Sequence, residues 1–210
     1  MKTITLFILL LFSLETYSQN KNKASFNLGF ASMNFYDKLY LPDNSDQTPI
    51  SQTGGAFFDF NFIEQIEICN RWYIDAGGGI SQKGWTEEGI PMSDCGNTEN
   101  DRHYKYQKSF AFINMQLGLS YDLFKYKKLT LNLGQLITPE FGIGNPEDYR
   151  ELVFSTRTNL SLQYNLPKNI GLQLTPFFET ALSRYNKKTS NPKSSDWMPY
   201  GYGVTAGVLW

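Results

Sequence analysis

The sequence predicts an all-β fold: an eight-stranded antiparallel up-and-down transmembrane β-barrel preceded by a cleaved signal peptide. Three observations carry that reading. The chain opens on an apolar leader too short to span a bilayer, continues in segments of about ten residues alternating apolar and polar, and joins them by tight turns exchanged regularly with long polar loops.

Lys2 supplies a positive start, Ile4 to Leu14 an apolar stretch, and Thr16-Tyr17-Ser18 a small-residue cleavage site, which places the cut between Ser18 and Gln19. Residues 1–18 are thus expected to be a signal peptide and 19–210 the barrel. About eleven apolar residues fall short of the roughly twenty that a membrane helix needs. No later run is long enough either, so a mature chain that spans must do so with strands, whose backbone groups are satisfied only by closure.

The first strand is expected near Ala24 to Phe35, with Phe26, Leu28 and Phe30 on one face, and the second near Ala56 to Ile68, with Phe58, Phe60 and Phe62 together. The third, Trp72 to Gln82, aligns Ile74, Ala76 and Ile80; the fourth, Lys108 to Leu123, aligns Ile113, Met115, Leu117, Leu119 and Tyr121. Leu129, Leu131 and Leu133 mark the fifth, and Leu152, Phe154, Leu160, Leu162 and Tyr164 the sixth. Ile170, Leu172, Leu174 and Phe178 mark the seventh. Tyr202, Val204, Ala206, Val208 and Trp210 mark the last, and an alternating strand ending on an aromatic resembles the signal by which outer-membrane proteins are recognised for assembly.

Tight turns are expected at Cys69-Asn70-Arg71, Lys125-Tyr126-Lys127 and Pro167-Lys168-Asn169. Long loops are expected at Asp37–Gly54, Gly84–Gln107, Pro139–Glu151 and Arg184–Pro199. All the long loops fall at one end, as in outer-membrane barrels with short periplasmic turns. The face opposite the apolar stripe holds Asn27, Asn61, Gly77, Gly79, Ser81, Asn114, Gln116, Gly118, Asn132, Asn159, Gln173 and Gly203. A water-soluble sheet would put Lys and Glu there; small, uncharged hydrogen-bonding residues suit a narrow lumen. The aromatic residues, 16% of the chain, gather at strand ends: Trp72, Tyr121, Phe124, Tyr164 and Trp210 near the turns, Phe35, Trp85, Tyr104, Tyr106, Phe178, Tyr185 and Tyr200 near the loops. That distribution predicts two interfacial girdles.

The third strand closes on Ile80-Ser81-Gln82-Lys83-Gly84, and the order of elements together with this ending resembles the PorT-like outer-membrane β-barrel family of Bacteroidetes. The Thr-Tyr-Ser cleavage site followed by Gln19 is similar to exports of that group. The resemblance spans the whole mature chain and implies an outer-membrane location. Some members of the family are linked to secretion across that membrane.

A formal net charge of −1 gives no basic footprint for nucleic acid. Four charges fall on the expected inward face: Asp59, Asp75, Arg157 and Glu179. Counting back from the turn at Pro167 sets Arg157 across from Phe177 or Glu179, so an Arg157–Glu179 pair in a lumenal polar network is expected.

No catalytic, cofactor or metal site is expected. The one histidine, His103, has Lys105, not serine, two positions on, which departs from the lipid A deacylase pattern. Cys69, Cys95 and His103 lack metal-ligand spacing. Asp43, Asp46, Glu87, Glu88, Asp94, Glu99 and Asp101 read as solvated loop acids, and Arg184, Lys187, Lys188 and Lys193 as a basic last loop. Cys69 and Cys95 should lie on opposite sides of the membrane, about 25 Å apart, far beyond disulfide reach. The composition therefore points to a non-enzymatic outer-membrane barrel whose loops serve a structural or binding role. Its expected partners are outer-membrane lipid, the assembly machinery and an external ligand or secretion component. An accessory of secretion or assembly and a narrow channel are the alternatives, with a lipid A-modifying enzyme the remote one.

Overall fold

The structure, a computed structural model, describes residues 22–35, 51–89, 104–143, 151–167, 170–183 and 198–210. The leader and its cut, and the centres of the four long loops, lie outside them. The strands run β1 (Lys23–Phe35), β2 (Ser51–Cys69), β3 (Trp72–Gly89), β4 (Tyr104–Tyr126), β5 (Leu129–Ile143), β6 (Leu152–Asn165), β7 (Gly171–Ala181) and β8 (Pro199–Leu209). Each pairs antiparallel with the next, and β1 pairs with β8 from Ser25↔Leu209 to Phe35↔Pro199, so the sheet closes in the expected up-and-down order.

The strands exceed their predicted bounds at the loop end. Gly84 to Gly89 and Tyr104 to Gln107, expected as loop, pair as Gly84↔Ser109 through Gly89↔Tyr104. Likewise Pro139 to Ile143 belong to β5 and Ser51 to Gly54 to β2. Alternation is imposed where one face meets lipid, and it fades where both faces meet water. Backbone pairing carries on regardless, because an unpaired strand end leaves donors and acceptors open.

At the other end two turns are as short as a hairpin allows. Cys69↔Trp72 brackets Asn70-Arg71, and Tyr126↔Leu129 brackets Lys127-Lys128. Arg71 (φ 69°) and Lys127 (φ 50°) take the left-handed conformation that such turns demand. The third connection is wider, tied by the Leu166 N–H donating to the Ile170 carbonyl at 2.7 Å.

The outside is apolar. Phe26, Leu28, Phe30, Phe58, Phe60, Ile80, Ile113, Leu117, Leu119, Leu133, Leu160, Leu172, Val204 and Val208 are all exposed, Leu117 to 61%. Phe60, Leu117 and Leu172 share no centre. The inside is polar along most of its length: Asn27, Asn61, Ser81, Asn114, Gln116 and Asn132 are buried with hardly any exposure. This is the reverse of a water-soluble sandwich and suits hydrocarbon as the outer solvent. No helix among the described residues is long and apolar enough to cross a membrane.

One expectation needs correction. The inward face is not confined to small and polar residues, because Met33, Phe57, Phe112, Leu136, Val153 and Phe177 are also buried there. Where the barrel rises past the lipid belt, its interior is packed like a small apolar core. Phe112, Val153 and Ala181 form that cluster, with Phe110 and Met198 against it. Glycines make the lumen narrow enough to fill. A Cβ at Gly79 would run into the Phe60 carbonyl and the Asn61 side chain, so β2 and β3 keep their inner surfaces together only with hydrogen at that position.

At the turn end Trp72 and Tyr121 lie 4.9 Å apart, and Phe26 and Trp210 5.4 Å. Phe124 and Tyr164 are exposed in the same zone. Of the loop-end girdle, Phe178 and Tyr200 meet at 6.4 Å; Tyr185 and the side chains of Phe35, Trp85, Tyr104 and Tyr106 lie outside the description. Leu117→Arg, in the middle of the belt, should destabilise the barrel by about 2–4 kcal/mol, read by urea unfolding in lipid vesicles. The same substitution in a soluble sandwich with Leu117 on a wet face would cost almost nothing.

Candidate functional site

The residues with chemical potential face the lumen, which divides into three levels. The first, toward the loop end, is an ion cluster built from five strands. Arg157 on β6 stands opposite Glu179 on β7 in the register. Its Nε and Nη2 donate to Glu179 Oε2 at 2.8 and 2.6 Å, and Nη1 donates to Asp59 on β2. Lys83 Nζ on β3 donates to Glu179 Oε1 and to Glu140 Oε1 on β5, both at 2.6 Å. All five side chains are essentially buried. Rings enclose the cations: Arg157 lies 4.3 Å from the Phe177 centroid and Lys83 Nζ 5.1 Å from that of Phe57.

The middle level is uncharged. Asn27, Asn61, Asn114 and Gln116 face a wall thinned by glycine. Asn27 Oδ1, Asn61 Oδ1 and Ser81 Oγ have no hydrogen-bond partner among the described residues, so this stretch keeps unused hydrogen-bonding capacity.

The third level, toward the turn end, is a relay of amides and hydroxyls. Lys23 Nζ donates to Gln163 Oε1 at 3.0 Å, Gln163 Nε2 to Gln65 Oε1 at 3.2 Å, and Gln65 Nε2 to Asp75 Oδ1 at 3.0 Å. Ser120 Oγ also donates to Asp75, at 2.8 Å. Beside them the Tyr73 hydroxyl donates to Asp122 Oδ2 at 2.9 Å and Asn132 Nδ2 to Asp122 Oδ1 at 3.1 Å. Below this floor the barrel opens as a vestibule of about 900 Å³, its wall including Glu67, Arg71, Tyr73, Asp122 and Lys125.

Of the four expected lumenal charges, the structure brings Asp59, Arg157 and Glu179 into one cluster and sets Asp75 apart in the turn-end relay. Lys83 and Glu140 were missed, since Lys83-Gly84 and Pro139-Glu140 looked like loop edges. A signal existed: Lys83 shares parity with Asp75 and Ser81, and that parity puts it inside. Of the residues expected to form an assembly signal, Tyr202, Val204, Ala206 and Val208 stand on the outer face of β8, and Trp210, just past its end, is exposed.

Among the described residues no three His, Cys, Asp or Glu side chains gather as a metal site; in the ion cluster the carboxylates are held by cations. His103 and Cys95 lie outside the described residues, as do Asp43, Asp46, Asp94, Glu99, Asp101, Arg184, Lys187, Lys188 and Lys193. Cys69 is a free thiol, exposed at the β2–β3 turn.

Comparison with solved structures places the architecture. Neisserial surface protein A superposes with a TM-score of 0.54 at 10% identity, over 90% of this chain and 95% of that one. The outer membrane protein OprG from Pseudomonas aeruginosa gives 0.50 at 10% identity, over 92% and 98%. No family model and no curated protein matches. What these likenesses carry is the fold: this chain is an eight-stranded closed barrel of the outer-membrane type.

Buried ion clusters are costly to break from one side, because a lone charge is left without water. Glu179→Gln, which removes the negative charge that both cations share and turns one of its two acceptor oxygens into a donor, should destabilise the barrel by roughly 3–5 kcal/mol. Gln82→Ala, at an exposed residue whose amide donates to Ser109 Oγ at 2.7 Å, should stay within about 0.5 kcal/mol. Equilibrium unfolding of both variants in vesicles provides the comparison, and equal losses would remove the cluster from its central place.

Proposed function

We propose that the chain is a non-enzymatic integral protein of the bacterial outer membrane, a plugged barrel that acts through what it displays beyond the apolar belt. The observation that carries this reading is the occlusion of the lumen. Five ion-paired side chains block the axis, and Met33, Phe57, Phe112, Val153 and Phe177 pack around them. Eight strands enclose little more than their own side chains, and here that space is filled. The β3–β4 hairpin supports a display role, since its backbone stays paired from Trp85↔Lys108 to Gly89↔Tyr104. An external ligand would be met there. The outward row Tyr202, Val204, Ala206, Val208 and Trp210 supports recognition by the assembly machinery, at a stage when β8 is not yet paired with β1.

A second reading follows from the PorT-like resemblance, in which the barrel is an accessory to secretion or assembly. The vestibule at the turn end favours it, as a partner approaching from the periplasm finds the barrel open on that side. Co-purification with secretion components after mild detergent extraction separates this reading from a free-standing barrel.

The direct test of the first reading is conductance. The purified chain, shown folded by its faster migration before boiling, should give no steady unit current in planar bilayers. A stable open level in the native protein would make it a channel and end the proposal. Replacing His103 with Ala should leave lipid A composition unchanged; a change would reinstate an enzymatic role.

A further inference from the structure

The turn end carries cations that the barrel itself does not use. Arg71, Lys127 and Lys128 occupy the tips of the β2–β3 and β4–β5 turns, and Lys125 precedes them on the vestibule rim. All four are exposed, and none is ion-paired among the described residues. The two turns are joined, because the Asp122 N–H donates to the Arg71 carbonyl at 2.9 Å. Of the acids at this end, Asp122 is buried and held by Tyr73 and Asn132, Glu64 is covered, and Glu67 lines the vestibule along with Arg71 and Lys125.

Directly above these cations the surface turns apolar. A bulge between Asp122 and Phe124 shifts the register of β4 so that Phe124 and Tyr126 both stay on the lipid side. Their rings stack at 6.1 Å, Lys127 Nζ sits 5.2 Å over Tyr126, and Trp72 packs on Tyr121 nearby. Leu123 and Leu129 are exposed in the same patch. A ligand for this surface must present an anion at the level of the turns and hydrocarbon just above it. An acidic protein offers the first without the second; inorganic phosphate likewise. A phosphodiester headgroup with acyl chains offers both.

We infer that Arg71, Lys127 and Lys128, with Trp72, Phe124 and Tyr126, form a binding site for an anionic phospholipid of the leaflet at the turn end. The inference rests on the reading that the barrel spans a bilayer. Lysines here extend past the rings to the headgroup plane while their methylenes stay against the aromatic surface. Each cation should raise the local preference for an anionic lipid by about fivefold at low salt, with the gain shrinking as salt screens it.

The test uses the full mature chain with Trp85, Trp197 and Trp210 replaced by Phe, so that Trp72 reports alone. It is folded into vesicles of phosphatidylcholine and phosphatidylglycerol in which one lipid or the other carries brominated chains. Brominated phosphatidylglycerol should quench Trp72 as though enriched at least about fivefold over its bulk fraction. The enrichment should fall with added salt and return to the bulk fraction in R71Q/K127Q/K128Q. Equal quenching by the two lipids, or enrichment unchanged in the triple variant, overturns the site. Loss of enrichment on adding inorganic phosphate at constant ionic strength would mark a free-phosphate site and also overturn it. Heat-modifiable migration is checked in every sample: a chain that fails to insert refutes the transmembrane reading, whereas one that inserts without lipid preference refutes only this inference.

Discussion

Everything in this molecule depends on the seam between β1 and β8. Hydrocarbon offers no partner to an amide or carbonyl, and a single open edge along the belt would leave a row of them unsatisfied at several kcal/mol each. Pairing from Ser25↔Leu209 to Phe35↔Pro199 removes that edge. Once the sheet is closed, each strand must present one face to lipid and the other to a confined axis, and the alternation of residue types follows. The tight turns serve the same end, since Asn70-Arg71 and Lys127-Lys128 reverse the chain without spending backbone groups.

Closure creates a second problem, a narrow interior that must be filled without orphaning charge. The chain solves it by level. Toward the loops, Asp59, Lys83, Glu140, Arg157 and Glu179 come from five different strands and tie opposite walls together. Burying so many charges gives little net stability against an apolar core of equal volume. What it gives is a specification of stagger, since Arg157 meets Glu179 and Asp59 together only when β2, β6 and β7 stand at the right heights. Toward the turns, Lys23, Gln163, Gln65 and Asp75 span the axis by hydrogen bonds between β1, β6, β2 and β3.

Much of this was legible in the sequence because lipid enforces a period of two with few exceptions. Strand number, order, turn positions and the outward row on β8 could be read directly, and counting from the Pro167 turn reached the Arg157–Glu179 pairing. What escaped had physical causes. Phe57-Phe58 and Phe177-Phe178 are adjacent rings pointing to opposite faces, and the residue types alone do not say which is inside. Only their parity with Asp59 and Glu179 does. Lys83 and Glu140 fell where glycine and proline suggest loops, beyond the belt, where the strands stay paired in water. The separation of Asp75 from Asp59 needed the same counting across the Asn70-Arg71 turn, which sets Asp75 opposite Gln65 and Asp59 opposite Ser81.

The belt has one more consequence. Its side chains touch acyl tails, which conform to any shape, so Leu117 or Leu172 need only be greasy and need not interlock with a neighbour. Half of each strand is thereby freed from the mutual fitting that a water-soluble core imposes on every residue. A scaffold held by main-chain ladders and girth therefore dictates little about which greasy side chain stands where, and two barrels of the same architecture share only one residue in ten with this chain.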